Sequence, residues 1–335
     1  MKRIIWYMFS FCLVFCVGIL CLNHVFLRED SRNKNAHFLE ADRNYDVLFF
    51  GTSHVMDAIY PTELYEQTGL RSYNLGNAAE TLEATLWTMR CAFDLHVPKV
   101  AVIDVAYVDK VQAESSATYS LSHLFYDSWP LSIHKIKAIH ALFPRERQGE
   151  FLFPLIAYHS RWEELMTQST ERICDSDPFM YGAELRAGRE EPAEYERTQE
   201  CDFRETPGKR ALSEIVALCR EKGVEPVLVG IPYPAEKEKQ EIINSVAALA
   251  LDWQVPFLNL FDQSDLVDFT TDCYDPQSHL NPDGAVKVTR YLGTYLKETY
   301  DFSERLSETE KEKWEADLQL YKEAWREKWQ GSSLL

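Results

Sequence analysis

Five short runs with strand character, residues 47–50, 72–75, 100–104, 226–231 and 256–260, are separated by stretches with helical periodicity, and this alternation leaves few folds open. The continuously apolar runs, such as Val47-Leu48-Phe49-Phe50, read as strands buried on both faces, a state reached when helices cover each side of a sheet. Strands separated by helices pair in parallel. Pro61 opens a short helix that Gly69 ends, in keeping with the preference for Pro early and Gly late. Residues 80–95 place Leu82, Leu86, Met89 and Phe93 on one helix face. Helices are also expected over 209–222, ended by Gly223, over 235–252, and from Pro282 through Thr299. The expected fold class is α/β with a parallel sheet.

The alternation stops between about residues 107 and 208. That stretch holds helix-like pieces, 133–142 and Tyr158-His159-Ser160-Arg161-Trp162, and a polar segment over 182–206. A connection so long is functional or folded in its own right, and it is expected to form a helical cap over the active face. Near the C-terminus Trp314, Leu318, Tyr321, Trp325 and Trp329 recur at helical spacing, an apolar stripe expected to pack back on the domain, with a partner or membrane-surface contact as the alternative, the acidic polar face disfavouring anionic lipid.

Lys2 and Arg3 precede an uncharged stretch, 4–27, whose strongly apolar part, 4–22, is long enough to cross a bilayer core of about 30 Å as a helix. Residues 19–23 offer no small-x-small cleavage site, so an uncleaved signal anchor is expected. Arg28, Arg32 and Lys34 balance Lys2 and Arg3, which leaves its orientation open on charge alone. The expected organisation is a transmembrane anchor over 1–27, a juxtamembrane linker over 28–45, an α/β domain over 46–304 with an insertion at about 107–208, and an amphipathic helix over 305–335. With 53 acidic against 35 basic residues, the formal charge of −18 argues against a nucleic-acid partner or a broad basic face for anionic lipid. Outside the apolar helix, Cys91, Cys174, Cys201, Cys219 and Cys273 form no disulfide framework. Cys91 and Cys219 fall on core-like helix positions, and Cys174 with Cys201 is the pair considered for a bridge. No Cys/His spacing suggests zinc, and no metal or other cofactor is expected.

Two segments carry the chemistry: Phe50-Gly51-Thr52-Ser53-His54, and Asp275-Pro276-Gln277-Ser278-His279-Leu280-Asn281. The first places Ser53 where a buried strand ends and the chain turns, exposing the hydroxyl. Serine needs a neighbouring base to act as a nucleophile, usually a histidine held in one tautomer by a carboxylate. His279 supplies the base and Asp275 the carboxylate, with Asp272 as the alternative. Pro276 disfavours helix at Asp275, so the stretch is expected to be extended. Ligands of open parallel sheets bind at the C-terminal ends of the strands. Ser53, Ala79, Tyr107, residues 232–234 and the His279 loop all fall at such ends.

This arrangement resembles the SGNH/GDSL hydrolase superfamily, which places its serine in a Gly-Asp-Ser-like turn after the first strand and its Asp and His in a short block near the C-terminus. Residues 73–81, Tyr-Asn-Leu-Gly-Asn-Ala-Ala-Glu-Thr, are similar to the family's Asn-x-Gly-like block. The resemblance runs from about Asp46 to Tyr300, and implies a three-layer doubly wound parallel sheet of SGNH/flavodoxin-like type with a large insertion after the third strand. It implies an oxyanion hole built from the N–H groups of Ser53 and Ala79, where Ala79 stands for the usual Gly. Val108 stands where the family's oxyanion Asn would fall, and Tyr107 and Asn77 are candidates to replace that donor. Losing one such donor costs roughly 100- to 1000-fold in turnover. His54, Tyr107, His159, Arg161, Tyr233 and Asn281 complete the candidate substrate-binding set, with Trp162 as a stacking face.

Gly-Thr-Ser-His together with Ser-His-Leu-Asn-Pro-Asp-Gly-Ala most resembles membrane-anchored bacterial members similar to alginate O-acetylation and teichoic-acid D-alanylation proteins. That resemblance implies a serine-dependent O-acyl esterase or acyltransferase acting on cell-surface polysaccharide. The catalytic domain would lie outside the cell membrane, with a multi-pass membrane acyltransferase as a candidate partner. A non-catalytic glycan-binding or assembly protein on the same fold is the alternative, favoured by Val108. A metal-dependent phosphodiesterase built on Asp272, Asp275 and His279 has too few separated ligands.

Overall fold

The computed structural model describes residues 2–111, 115–162, 177–190, 195–275, 279–302 and 306–330. Its centre is a five-stranded, all-parallel sheet in the order β2-β1-β3-β4-β5, formed by β1 (Val47–Phe50), β2 (Ser72–Asn74), β3 (Val100–Asp104), β4 (Glu225–Gly230) and β5 (Phe257–Asn259). In register, Leu48 lies beside Tyr73 and Ala101, and Ala101 beside Pro226. Alternate side chains feed two cores. Leu48, Phe50, Ala101, Ile103 and Leu228 join one; Val47, Phe49, Val100, Val102, Val227 and Val229 join the other.

The N-terminal helix α1 (Lys2–Phe26) precedes a short α2 (Glu29–Asn35). Between β1 and β2 come α3 (Ser53–Ala58) and α4 (Pro61–Thr68), then α5 (Leu82–Ala92) before β3. The long β3 to β4 connection holds α6 (Ser116–Tyr126), α7 (Ile133–Leu142), α8 (Gln148–Leu152), α9 (Pro154–Tyr158) and α10 (Pro207–Lys222). Beyond β4 follow α11 (Lys237–Trp253), α12 (Pro282–Thr299) and α13 (Glu308–Ala324). Helices α5, α10 and α11 pack on the first core, and α3, α4 and α12 on the second. Their ends obey local rules: Thr81 caps α5 by accepting from the Ala84 N–H, left-handed Gly69 and Gly223 end α4 and α10, and Ser307 with Glu310 forms a capping box on α13.

The stretch 28–45, expected to be a linker, is instead folded into the domain. Ser31 donates to the His123 and Leu124 carbonyls, Lys34 donates to the Gly182 carbonyl at 3.0 Å, and Phe38 is wholly buried. Its polar residues are tolerated inside because backbone carbonyls satisfy them. Helix α13 also belongs to the domain, with Trp314 stacked on Tyr181 at 4.0 Å and Tyr321 buried against Tyr60. Cys91 and Cys219 are buried in the core and Cys201 is exposed, whereas Cys174 lies outside the described residues. Helix α1 is 25 residues long with mean hydropathy 2.4 over its most apolar window, long and apolar enough to cross a membrane.

Candidate active site

In sheets of this strand order the ligand crevice opens where neighbouring connections leave in opposite directions, between β1 and β3. Ser53 sits there, as the first residue of α3. The turn before it depends on Gly51, whose φ is +149°; a Cβ at Gly51 would lie 2.7 Å from both the Asp104 Cβ and the Val55 Cγ2. Thr52 then caps α3 by accepting from the His54 N–H at 3.2 Å. The loop after β2 docks on this turn. A Cβ on Gly76 would meet the Met56 nitrogen at 2.8 Å, and the Asn77 N–H donates to the Gly51 carbonyl at 3.0 Å.

The chain on the two sides of residues 276–278 pairs antiparallel: the Tyr274 N–H donates to the His279 carbonyl and the Asn281 N–H to the Asp272 carbonyl. Asn281, fully buried, accepts from the Asp283 and Gly284 N–H groups at the start of α12 and donates to the Thr271 carbonyl at 2.8 Å. It orients the loop. Asp275 and His279 are thereby joined twice, Oδ2 to Nδ1 at 2.6 Å and Oδ1 to the His279 N–H at 3.2 Å. His279 Nε2 lies 2.8 Å from Ser53 Oγ. With the Nδ1 proton donated to the carboxylate, Nε2 is left to accept from the serine hydroxyl. Residues 276–278, including Pro276, lie outside the described residues.

Asp272 takes no part in this chain of bonds. Its carboxylate accepts from Lys287 Nζ at 2.6 Å and from the Asp268 N–H at 2.9 Å. Tyr233 and His54 stack at 4.1 Å, His54 lies 5.4 Å from His279 ring to ring, and Tyr107 approaches His54 edge-on at 5.9 Å. Burial, assisted by His279, lowers His54 to about 3. A neutral His54 leaves the neighbouring ring free to carry a positive charge.

For an oxyanion, the available donors are the N–H groups of Ser53 and Ala79, neither of which has an acceptor among the described residues. Ala79 has φ +57°, a left-handed conformation that costs a non-glycine residue roughly 1 kcal/mol or more. Val108 offers nothing polar: its side chain is fully buried, and its carbonyl accepts from Thr206 Oγ1. The Asn77 amide N–H is engaged with Gly51, and its Nδ2 sits 3.5 Å from the Leu121 carbonyl. Beside it, burial raises Glu80 to about 8 despite hydrogen bonds from Thr88, Thr85 and Asn77. The folded protein therefore holds a proton that the unfolded chain releases, and stability falls as pH rises from about 4.5 to about 8. Glu80→Gln should melt close to wild type at pH 5 and several degrees above it at pH 8; a difference independent of pH would contradict this.

Two expected ligands lie elsewhere. Arg161 donates to the Phe26 carbonyl at the end of α1 at 2.8 Å and His159 bonds the Ile156 carbonyl of its own segment, so these bonds tie neither to the Ser53 cluster. Conversely, a buried acid next to His279 escaped the sequence. Asp57 Oδ2 lies 4.0 Å from His279 Nε2 and accepts from the Tyr274 hydroxyl at 3.4 Å. Arg186 bridges Asp57, at 3.5 Å, and Glu184, at 2.5 Å. Burial and the nearby Glu184 push the Asp57 carboxyl well above the usual carboxylate range, against the opposing pull of Arg186. Asp57 stands four residues after Ser53, on the same face of α3, and that spacing was the available signal.

A cleft of about 510 Å³ lined by Asp46, Arg71 and Lys99 opens at the N-terminal ends of the strands, away from Ser53. Among the described residues no group of three His, Cys, Asp or Glu side chains is gathered to hold a metal ion. No family model matches the chain, and none of the curated proteins does.

Proposed function

We propose that the protein is a serine-dependent O-acyl esterase or acyltransferase that acts on cell-surface polysaccharide. The observation that carries this reading is the unbroken relay from Asp275 through His279 to Ser53, at 2.6 and 2.8 Å. Ser53 Oγ attacks the acyl carbonyl carbon while His279 Nε2 takes its proton. The tetrahedral oxyanion is held by the Ser53 and Ala79 N–H groups, and Asp275 stabilises the imidazolium. His279 returns the proton to the departing alcohol, leaving an acyl-serine. Water then regenerates the enzyme as an esterase; a sugar hydroxyl, activated by the same imidazole, makes it a transferase. The SGNH-like segments described above support this fold family, and their likeness to membrane-anchored O-acetylation and D-alanylation proteins supports a glycan acceptor and a membrane acyltransferase as acyl source.

Turnover of an aryl acetate tests the reaction, and addition of polysaccharide separates the two modes. Acetyl recovered as a glycan ester indicates transfer; acetate alone indicates hydrolysis. A non-catalytic glycan-binding protein is the second reading, favoured by Val108, whose burial in the core leaves two backbone donors for the oxyanion. Absence of turnover with retained glycan binding would select it.

Helix α1 supports a single-pass anchor, and the likeness to membrane-anchored O-acetylation and D-alanylation proteins supports placing the domain outside the cell membrane. Residues after Asn44 are expected to be cleaved by external protease once the wall is removed, while the protein stays in the membrane at high salt. Protection of the domain or release into the soluble fraction would contradict that topology.

A further inference from the structure

Residues 4–22 of α1 cover about 28 Å at 1.5 Å per residue, so the last turn, 23–26, falls where the helix would leave the hydrocarbon. That turn is not free. Asn23 Oδ1 accepts from the Leu155 N–H at 2.9 Å, in the first turn of α9, and Arg161 donates to the Phe26 carbonyl at 2.8 Å. Two polar bonds thus fasten the segment 153–162 to the exit point of the anchor. The first helps satisfy the α9 start and the second an end carbonyl of α1.

On this segment three large apolar side chains stand in solvent: Phe153 is 51% exposed, Ile156 52% and Trp162 53%. Single exposed apolar residues need no explanation, but three within ten residues, on a segment bound to the end of an apolar helix, call for one. Tryptophan favours the headgroup level, where its ring is half in apolar surroundings.

We propose that this corner is a second membrane contact, in which Phe153, Ile156 and Trp162 enter the lipid interface beside α1. It rests on the reading of α1 as a membrane span. A lone helix lets a domain swivel; a second contact, joined to a domain that also buries α2, fixes its tilt. The catalytic crevice is thereby held at a constant attitude to the membrane, suited to a polymer substrate attached there.

The test uses the full chain in phosphatidylcholine vesicles whose acyl chains carry bromine, which quenches nearby tryptophan emission. Trp6 reports on α1 and Trp162 on the corner. The quenched emission is expected to fall by roughly half in Trp162→Phe and by a similar share in Trp6→Phe, because these two indoles sit at bilayer level. Phe153→Glu with Ile156→Glu, both at exposed positions, should reduce quenching of Trp162 while leaving that of Trp6 unchanged. If Trp6→Phe lowers the quenched emission and Trp162→Phe does not, the anchor is inserted and the second contact is refuted. If neither variant lowers it, the membrane span itself is wrong and the contact falls with it.

Discussion

Ser53→Ala and His279→Ala are each expected to lower acyl-ester turnover by about 10⁴-fold or more while barely shifting the melting temperature. The reason is geometric. Ser53 and His279 are joined to each other at 2.8 Å at the mouth of the crevice, and neither side chain packs the cores that hold the sheet. Members of such a relay act as a unit, so removing one loses nearly everything the set contributes. Initial rates on an aryl acetate, paired with thermal melts, check this. Retention of near wild-type turnover by either variant would dismiss Ser53 as nucleophile or His279 as base.

The second large effect separates two aspartates three residues apart. Asp275→Asn is expected to reduce turnover by about 10³- to 10⁴-fold, since an amide neither fixes the Nδ1–H tautomer nor stabilises the imidazolium. Asp272→Asn should cost about tenfold or less in turnover and show chiefly as a lower melting temperature, because its carboxylate is committed to Lys287 and the Asp268 N–H. Were Asp272→Asn the more damaging to turnover, the orienting carboxylate would be Asp272 and the hydrogen bonds at His279 would need reassignment.

What the sequence made legible follows from how local each signal is. The strands β1 and β3 announce themselves because residues buried on both faces are apolar, at all four positions of β1 and the first four of β3. The Ser53 turn and the 275–281 block are likewise short segments whose residues sit next to one another in the chain. Tertiary pairings leave no such trace. Arg161 stands in Tyr-His-Ser-Arg-Trp, a pattern fit for sugar or anion binding, yet its partner is a carbonyl 135 residues away at the end of α1. Residues 28–45 look like a solvated linker because they are charged, and their burial depends on carbonyls of the β3 to β4 connection. The Asp57, Glu184 and Arg186 group is assembled from α3 and the polar stretch after residue 182, so only Asp57, four residues after Ser53, carried a local signal.

Ala79 shows the same limit in reverse. Its place in the block 73–81 was readable, whereas its left-handed backbone, whose N–H has no acceptor among the described residues, comes with the packing of that loop on Gly51.

The central claim is that Ser53 is an activated nucleophile, and intact-protein mass after incubation with a fluorophosphonate tests it most directly. A single covalent adduct, mapped to Ser53 by peptide sequencing, is expected to form in wild type, to be absent from Ser53→Ala, and to form far more slowly in His279→Ala. An unmodified mass, or an adduct on another residue that persists in Ser53→Ala, would contradict it.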